Sequence, residues 1–221
     1  MGHVLSKTNR LYWLGRYNER VYTTLSFMLD FYDEAIDGEP DYAAVCAALD
    51  IPNVYPDVEG FFRGFLFDAD NPDSVACAAD HMLGNGMVLR ETISSTTLSY
   101  LQMAVNAIGL AKGSEAPAVA LQWALDDIMA FRGSCDDHIA DEAIRNILKA
   151  AVSVERISMY GRLRIRQEDI QRELRMLVYR MNRTHLPVDP QSHVVLTEAL
   201  MEGGLPERRA IIEAVENLFI L

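Results

Sequence analysis

The sequence predicts an all-α protein, built as a helical bundle of about nine helices. Three observations lead to this prediction. Along most of the chain, apolar residues recur at intervals of three, four and seven, as they do when a helix buries one face. Proline, glycine and cap-forming residues separate these segments at positions typical of helix ends. No stretch shows the alternating pattern or the β-branched enrichment that indicates strands.

The first predicted helix spans Thr8 to Ile36, and Gly38 follows as its stop. Its apolar positions have helical spacing: Leu11, Leu14, Val21, Leu25, Met28 and Tyr32. Asn71-Pro72 and Asp189-Pro190 each combine an N-cap residue with proline at the first helical position, so both predict helix starts. Further starts are predicted at Ser95, Ser114 and Asp141, and further ends at Lys112-Gly113, Phe131-Arg132-Gly133 and Gly203-Gly204.

The chain shows no sign of a domain boundary. It contains no low-complexity segment and no linker rich in proline, glycine or serine, and residues 51–56 fit a short connection between helices. A length of 221 residues suits one domain with a substantial core. We therefore predict a single helical domain over residues 1–221.

Composition excludes several classes of protein. The formal net charge of −12 disfavours a DNA backbone as the main partner. Three widely spaced cysteines, with no CxxC pair, suggest neither a disulfide framework nor a zinc site. No apolar run approaches the roughly 18 residues that a membrane span requires. We expect an acidic cytoplasmic protein that binds neither DNA nor a membrane.

The charge is unevenly distributed along the chain. The whole acidic excess lies in residues 1–140, whereas residues 145–183 carry ten basic and four acidic side chains. One interpretation is that this basic segment neutralises the acidic N-terminal helices of the same chain. The alternatives are that it faces an acidic partner, or that it contacts RNA with an affinity that falls steeply with salt.

Motifs for the common catalytic chemistries are absent from the sequence. A carboxylate-bridged metal site in a bundle needs Glu-x-x-His repeats, and none of the five histidines belongs to one. There is no G-x-S-x-G motif and no glycine-rich phosphate loop. We therefore expect no metal and no cofactor.

Three glutamates that adjoin arginines are the candidate functional residues. On a helix, Glu155 shares a face with Ala151, Val152 and Met159, and Glu91 shares one with Met87 and Val88. A carboxylate on an apolar face must be paired, hydrogen-bonded or neutral, and an arginine from another helix is the obvious partner. Either each dipeptide forms its own ion pair, or the three build a shared polar cluster. The dipeptides are Glu19-Arg20, Arg90-Glu91 and Glu155-Arg156.

The first of these dipeptides ends a longer motif. Residues 9–20 read N-R-L-Y-W-L-G-R-Y-N-E-R. This segment resembles the opening signature of the Alpha-E family, a bacterial all-helical family whose first helix typically reads L-Y-W-L-G-R-Y-x-E-R. The resemblance extends over most of the chain through looser similarity at residues 65–66, 70–74, 88–94, 133–137 and 150–156. Where the family tends to read A-R-E-N-A-R before its Arg-Glu pair, this chain keeps only Asn85.

The resemblance implies a role beside circularly permuted ATP-grasp ligases, often together with transglutaminase-like proteins. By this resemblance the chain is expected to bind the ligase, the transglutaminase-like protein or a peptide substrate in peptide modification. Arginines could hold a carboxylate or phosphate through paired hydrogen bonds. The residues expected to bind are Tyr12, Arg16, Arg20, Asn85, Arg90 and Arg156.

A second hypothesis makes the chain an enzyme in its own right. Glu91 or Glu155, with a pKa raised by burial, would act as general base, and Glu19 is the third candidate catalytic carboxylate. This hypothesis needs two of these glutamates to converge on a common point in a pocket. If each is instead closed off by its own arginine, the enzyme hypothesis loses its site.

Overall fold

The structure is a computed structural model that describes the backbone of residues 2–38, 40–201 and 207–221, and the side chains of these residues other than 2–6, 36 and 37. The all-α prediction is confirmed. The described residues form eleven helices and no strand. The helices are α1 (Gly2–Asp37), α2 (Tyr42–Leu49), α3 (Val58–Phe67), α4 (Val75–Val88), α5 (Arg90–Ile93), α6 (Ser95–Lys112), α7 (Pro117–His138), α8 (Glu142–Leu163), α9 (Gln167–Thr184), α10 (Pro190–Met201) and α11 (Arg208–Glu216).

The chain divides into two compact units, which are described separately below. Residues 1–19 and 141–221 form one, called the terminal unit, and residues 20–140 form the other, called the central unit. That the whole chain is one domain stays a prediction. Within the described residues, no helix combines the length and apolar character needed to cross a membrane.

In the terminal unit, α8 packs against α9 and α11, and α10 packs against α9 and α11 as well. Two predicted helix starts are confirmed here. The Asp141 carboxylate accepts hydrogen bonds from the first-turn N–H groups of α8. The Asp189 carboxylate accepts one from the Ser192 N–H at 2.7 Å, and Pro190 is the first residue of α10.

The segment that follows α11 contacts both the segment before α10 and helix α1. Val188 and Phe219 form an isolated antiparallel bridge, and the Ile220 N–H donates to the Pro187 carbonyl at 3.0 Å. The Phe219 ring meets the Tyr12 ring edge to face, with centroids 5.6 Å apart. The first helix is therefore held by both aromatic packing and its contacts with α8.

Gly15 sets the distance between α1 and α8. A Cβ atom built at this position would lie 2.5 Å from the Leu148 carbonyl oxygen and 2.8 Å from the Ala151 Cβ. Real Cβ atoms do not approach backbone so closely. The absence of a side chain at Gly15 is therefore what permits the two helices to touch.

In the central unit, α6 and α7 pack along each other, and α4 packs against α6 and α3. Aromatic rings from α1 and α3 form a cluster around Phe61, which is fully buried. The Phe61 ring stacks on Phe65 at 5.2 Å and meets Phe31 edge to face at 5.8 Å. Helix α6 begins at Ser95 and ends at Lys112 with Gly113 as its C-cap, as predicted.

The predicted helix start at Asn71-Pro72 is wrong. The Ser74 N–H donates to the Asn71 carbonyl, so Pro72 occupies a four-residue turn, in the second position that proline favours. The cap is Ser74 instead, whose hydroxyl oxygen accepts from the Cys77 N–H at 3.0 Å, and α4 begins at Val75.

The predicted helix end at Gly133 is also wrong, because α7 continues to His138. Ile128, Phe131 and Cys135 lie at helical spacing and are all buried. Burying this stripe outweighs the roughly 1 kcal/mol that a glycine costs inside a helix. The predicted end at Gly203-Gly204 lies outside the described residues.

The count of about nine helices falls short of the eleven described. The two shortest elements are the eight-residue α2 and the four-residue α5. Helix α5 is separated from α6 by Ser94, which has a φ of 79°. A serine in the left-handed region is uncommon, and nothing in the hydrophobic spacing signals it.

We predict that Gly15→Ala destabilises the protein by roughly 1–3 kcal/mol, because the new methyl group must push α1 away from the α8 backbone. Gly133→Ala is the matched control, since a Cβ at this helical position meets nothing within 4 Å. It should instead stabilise by about 0.5–1 kcal/mol. Urea denaturation followed by circular dichroism measures both, and equal effects of the two substitutions would contradict the close-approach account.

Candidate functional site

A cluster of buried charges joins α1, α8 and α9 in the terminal unit. Glu19 is 0 % exposed and Glu155 is 1 % exposed, which is rare for glutamates unless they are paired. The sequence places Glu19 one turn after Arg16 on α1, whereas Glu155 and Arg156 are adjacent on α8. This spacing permits two reciprocal ion pairs between the same two helices.

The first ion pair joins Arg16 of α1 to Glu155 of α8. The Arg16 Nε donates to the Glu155 carboxylate, and Nη1 donates to the Tyr12 hydroxyl at 3.1 Å. The Arg16 guanidinium also lies 5.6 Å from the centroid of the Trp13 ring, within the range of a cation–π contact. Arg16 is thus enclosed by a carboxylate, a phenol and an indole.

The second ion pair runs in the opposite sense, from Arg156 of α8 to Glu19 of α1. Arg156 donates through Nε and Nη2 to the two oxygens of Glu19, both at 2.8 Å. This is the paired geometry in which a guanidinium binds a carboxylate best. Its third nitrogen, Nη1, donates to Glu173 of α9 at 3.1 Å. One arginine therefore links three helices.

The network continues along α9. The second oxygen of Glu173 accepts from the Ser153 hydroxyl at 3.4 Å, and Arg180 donates to the same hydroxyl at 2.7 Å. Arg180 also donates to the Lys149 carbonyl at 3.0 Å. The cluster is thus continuous from α1 through α8 to α9.

A second network fastens α8 to α11. Arg162 donates to both oxygens of Glu216, at 2.9 and 3.1 Å, and the Ser158 hydroxyl donates to the same carboxylate at 2.6 Å. Ser158 and Arg162 follow Glu155 on α8 at helical spacing. One side of α8 therefore carries polar groups that face first α1 and then α11.

Electrostatics keep the arginines of the cluster charged. Burial by itself lowers the pKa of the Arg16 and Arg156 guanidinium groups, but the carboxylates of Glu155 and Glu19 raise the pKa by more, so that both lie above the usual arginine value. Burial raises the pKa of the Tyr12 phenol, an effect that Arg16 partly offsets. Tyr12 therefore stays protonated at neutral pH and can donate or accept a hydrogen bond.

The cluster is satisfied in its hydrogen bonding. Among the side chains that the structure describes, every buried nitrogen and oxygen atom has a hydrogen-bond partner. Nor do the described histidines, cysteines and acidic residues include a group of three that could hold a metal ion. As arranged, the cluster holds helices together through paired charges.

The structure brings together five of the residues singled out in the sequence: Tyr12, Arg16, Glu19, Glu155 and Arg156. Arg20 and Asn85 are half-buried residues of the central unit. Arg90 is exposed and donates to the Ser95 hydroxyl at 2.9 Å, and Glu91 is exposed next to it.

The prediction that Glu91 shares an apolar face with Met87 and Val88 is wrong. Helix α4 ends at Val88, and Glu91 belongs to the separate helix α5. Met87 and Val88 are themselves 53 % and 62 % exposed. The uninterrupted helix on which the prediction depended does not exist.

Sequence reasoning missed Glu173, Ser153 and Arg180, together with the pair formed by Arg162 and Glu216. For Glu173 a signal was present, because it lies between Ile170, Leu174 and Leu177 on the stripe that α9 buries. A carboxylate on such a stripe requires a partner. Glu216 gives no comparable signal, because it is half-buried at the end of the short helix α11.

Comparison with protein-family models identifies the family of the chain. A family model described as a predicted alpha-helical domain with a conserved ER motif, Alpha-E, matches residues 4–198. The chain belongs to the Alpha-E family. Within the matched region of this Alpha-E protein, glutamate is followed by arginine at Glu19-Arg20 and at Glu155-Arg156. The glutamate of the first pair binds the arginine of the second. No curated protein and no solved structure matched the chain.

We predict that Arg16→Met lowers the free energy of unfolding by roughly 3–5 kcal/mol, because it removes the buried cation that contacts Glu155. The double variant R16M/E155L should recover part of this loss, since both charges are then gone. Arg209→Gln is the control: it breaks an exposed pair with Glu213 and should change stability by less than about 1 kcal/mol. Urea denaturation measures all three, and a loss in R16M no larger than in R209Q would contradict the buried-pair account.

We predict that Arg156→Lys costs roughly 2 kcal/mol although it preserves the charge, because a lysine cannot reproduce the paired contact with Glu19 and the third bond to Glu173. Arg175→Lys is the matched control, at an exposed arginine of α9. It should have an effect within about 0.5 kcal/mol. Thermal unfolding followed by circular dichroism compares the two, and equal melting temperatures would overturn the prediction.

Proposed function

We propose that this Alpha-E protein acts in the bacterial cytoplasm as a non-catalytic helical partner of a circularly permuted ATP-grasp ligase, or of a transglutaminase-like protein, in peptide modification. The choice of partner comes from the sequence resemblance described above. The observation that supports a binding role over a catalytic one is the closure of both buried glutamates by arginines of neighbouring helices.

A general base needs a carboxylate that can reach a proton of the substrate. Glu155 is held by Arg16, and Glu19 has both oxygens engaged by Arg156. Neither residue is more than 1 % exposed. A substrate would have to break a buried ion pair, at a cost of several kcal/mol, before meeting either glutamate. The cluster therefore serves as the scaffold of the terminal unit in this proposal.

The central unit offers a surface for the partner. Exposed apolar side chains lie on α6 and α7, the two helices of this unit that pack along each other. Exposed apolar side chains can contribute to protein interfaces, where tryptophan is among the residues that contribute most. The side chains are Met103, Leu110, Val119, Trp123 and Met129, which we call the α6–α7 apolar surface; they are between 49 % and 63 % exposed.

The test measures binding between purified proteins by isothermal titration calorimetry. The Alpha-E chain is titrated with the ATP-grasp ligase and, separately, with the transglutaminase-like protein of the same organism. We expect one of them to bind with near-equal stoichiometry, and we expect Trp123→Glu to weaken that binding by about ten-fold or more. Val194→Glu is the control, because Val194 is 52 % exposed on α10, outside the α6–α7 apolar surface.

The outcomes separate the hypotheses. If neither protein binds the wild-type chain, the partnership is overturned. If W123E and V194E weaken binding equally, the α6–α7 apolar surface is not the interface. Should the isolated chain modify a peptide by itself, and lose that activity in folded E19Q or E155Q variants, the free-standing enzyme replaces the proposal.

A further inference from the structure

The central unit contains a cavity of about 690 Å³ between the second half of α1, helix α3 and the turn that joins α6 to α7. Its volume lies in the range of pockets that bind small molecules, roughly 300–1,000 Å³. Buried apolar side chains, including Met28, Leu66 and Leu121, form its floor. None of the residues considered in the proposed function lines it.

One wall of the cavity is aromatic. Tyr32 and Phe62 both line it, and their rings meet edge to face at 5.4 Å. Phe62 also contacts the buried ring of Phe31 at 5.7 Å, which anchors the wall in the core. Rings held in this way present a rigid apolar surface to whatever enters.

The polar groups of the cavity gather at its rim and are mainly positive. Lys112, in the last turn of α6, lies with its ammonium 3.5 Å from the Phe67 carbonyl. Arg63 forms only a 3.5 Å pair with Glu59, and both are 79 % exposed, so that pair is weak and the two charges stay accessible. Among the lining residues, the two cations thus face one carboxylate.

The start of α7 adds to this positive end. Pro117 and Ala118 line the cavity, and they are the first two residues of a 22-residue helix whose N-cap, Ala116, has no side chain that could accept a hydrogen bond. The N-terminus of a helix carries a partial positive charge and favours anions. Lys112 and the α7 N-terminus therefore both favour an anion at the same rim.

We propose that this cavity binds a small carboxylic acid with an aliphatic chain. The chain lies along the wall of Tyr32 and Phe62 and reaches the floor at Met28 and Leu66. The carboxylate lies at the rim, beside the Lys112 ammonium and the α7 N-terminus. An apolar interior with positive charge at one end is complementary to this class of ligand, and the same rim repels an amphiphilic cation.

The test uses the purified 221-residue chain and two amphiphiles of equal chain length and opposite charge. Sodium dodecanoate and dodecyltrimethylammonium bromide are each titrated below their micelle concentrations by isothermal titration calorimetry. We expect one dodecanoate to bind per chain, with an affinity about ten-fold or more above that of the cation. Because no ligase takes part, this result is independent of the proposed partnership.

Three variants locate the binding. Lys112→Met keeps the apolar stem, removes the charge and should weaken dodecanoate binding by about five-fold. Lys7→Met, at an exposed lysine outside the cavity, is its matched control and should leave binding unchanged. Ala118→Trp places a large ring in the cavity and should abolish binding while circular dichroism shows an intact helical fold.

Three results would overturn the proposal. One is the absence of dodecanoate binding by the wild-type chain. Another is equal affinity for the two amphiphiles, which would remove the role of the positive rim. The third is undiminished dodecanoate binding by folded A118W, which would place the binding outside the cavity.

Discussion

The reciprocal pairing of two arginines and two glutamates between α1 and α8 is the constraint on which the terminal unit depends. Four charges leave water together, and each would cost several kcal/mol if it were buried without its partner. Arg16 needs Glu155 and Glu19 needs Arg156, so a shift of α1 along α8 by one turn would break both pairs at once. Gly15 permits the contact, and the charges fix its register.

That constraint also determines what chemistry the cluster supports. A buried carboxylate whose oxygens are held by a guanidinium cannot reach a substrate proton unless the ion pair opens. Glu155 and Glu19 are buried together with the arginines that bind them, Arg16 and Arg156. Glu19, Glu155 and Arg156 therefore hold α1 and α8 together.

The sequence alone predicts the fold class and part of the buried charged cluster of α1, α8 and α9. Helical spacing placed Glu155 on an apolar face, and the cost of burying a charge then required an arginine from another helix, as observed with Arg16. Spacing within a helix does not reveal which residue of a neighbouring helix lies opposite, so the bond between Arg156 and Glu173 could not be predicted, although the buried stripe of α9 showed that Glu173 needs a partner. The predicted apolar face around Glu91 is wrong for a local reason. The helix that the pattern assumed is interrupted by the end of α4 at Val88 and by Ser94, which lies in the left-handed region.

The basic segment over residues 145–183 follows from the same physics. Arginines of this segment bind carboxylates within the terminal unit: Arg156 binds Glu19 and Glu173, Arg162 binds Glu216, and Arg183 lies 3.9 Å from Glu142. An arginine engaged in this way offers less to an RNA backbone, which releases counterions only where cations are free to meet phosphates. Arginines of the exposed turn between α8 and α9, Arg164 and Arg166, remain accessible. Arg156 and Arg162 of this segment therefore hold helices together, whereas Arg164, Arg166, Arg172 and Arg175 lie exposed.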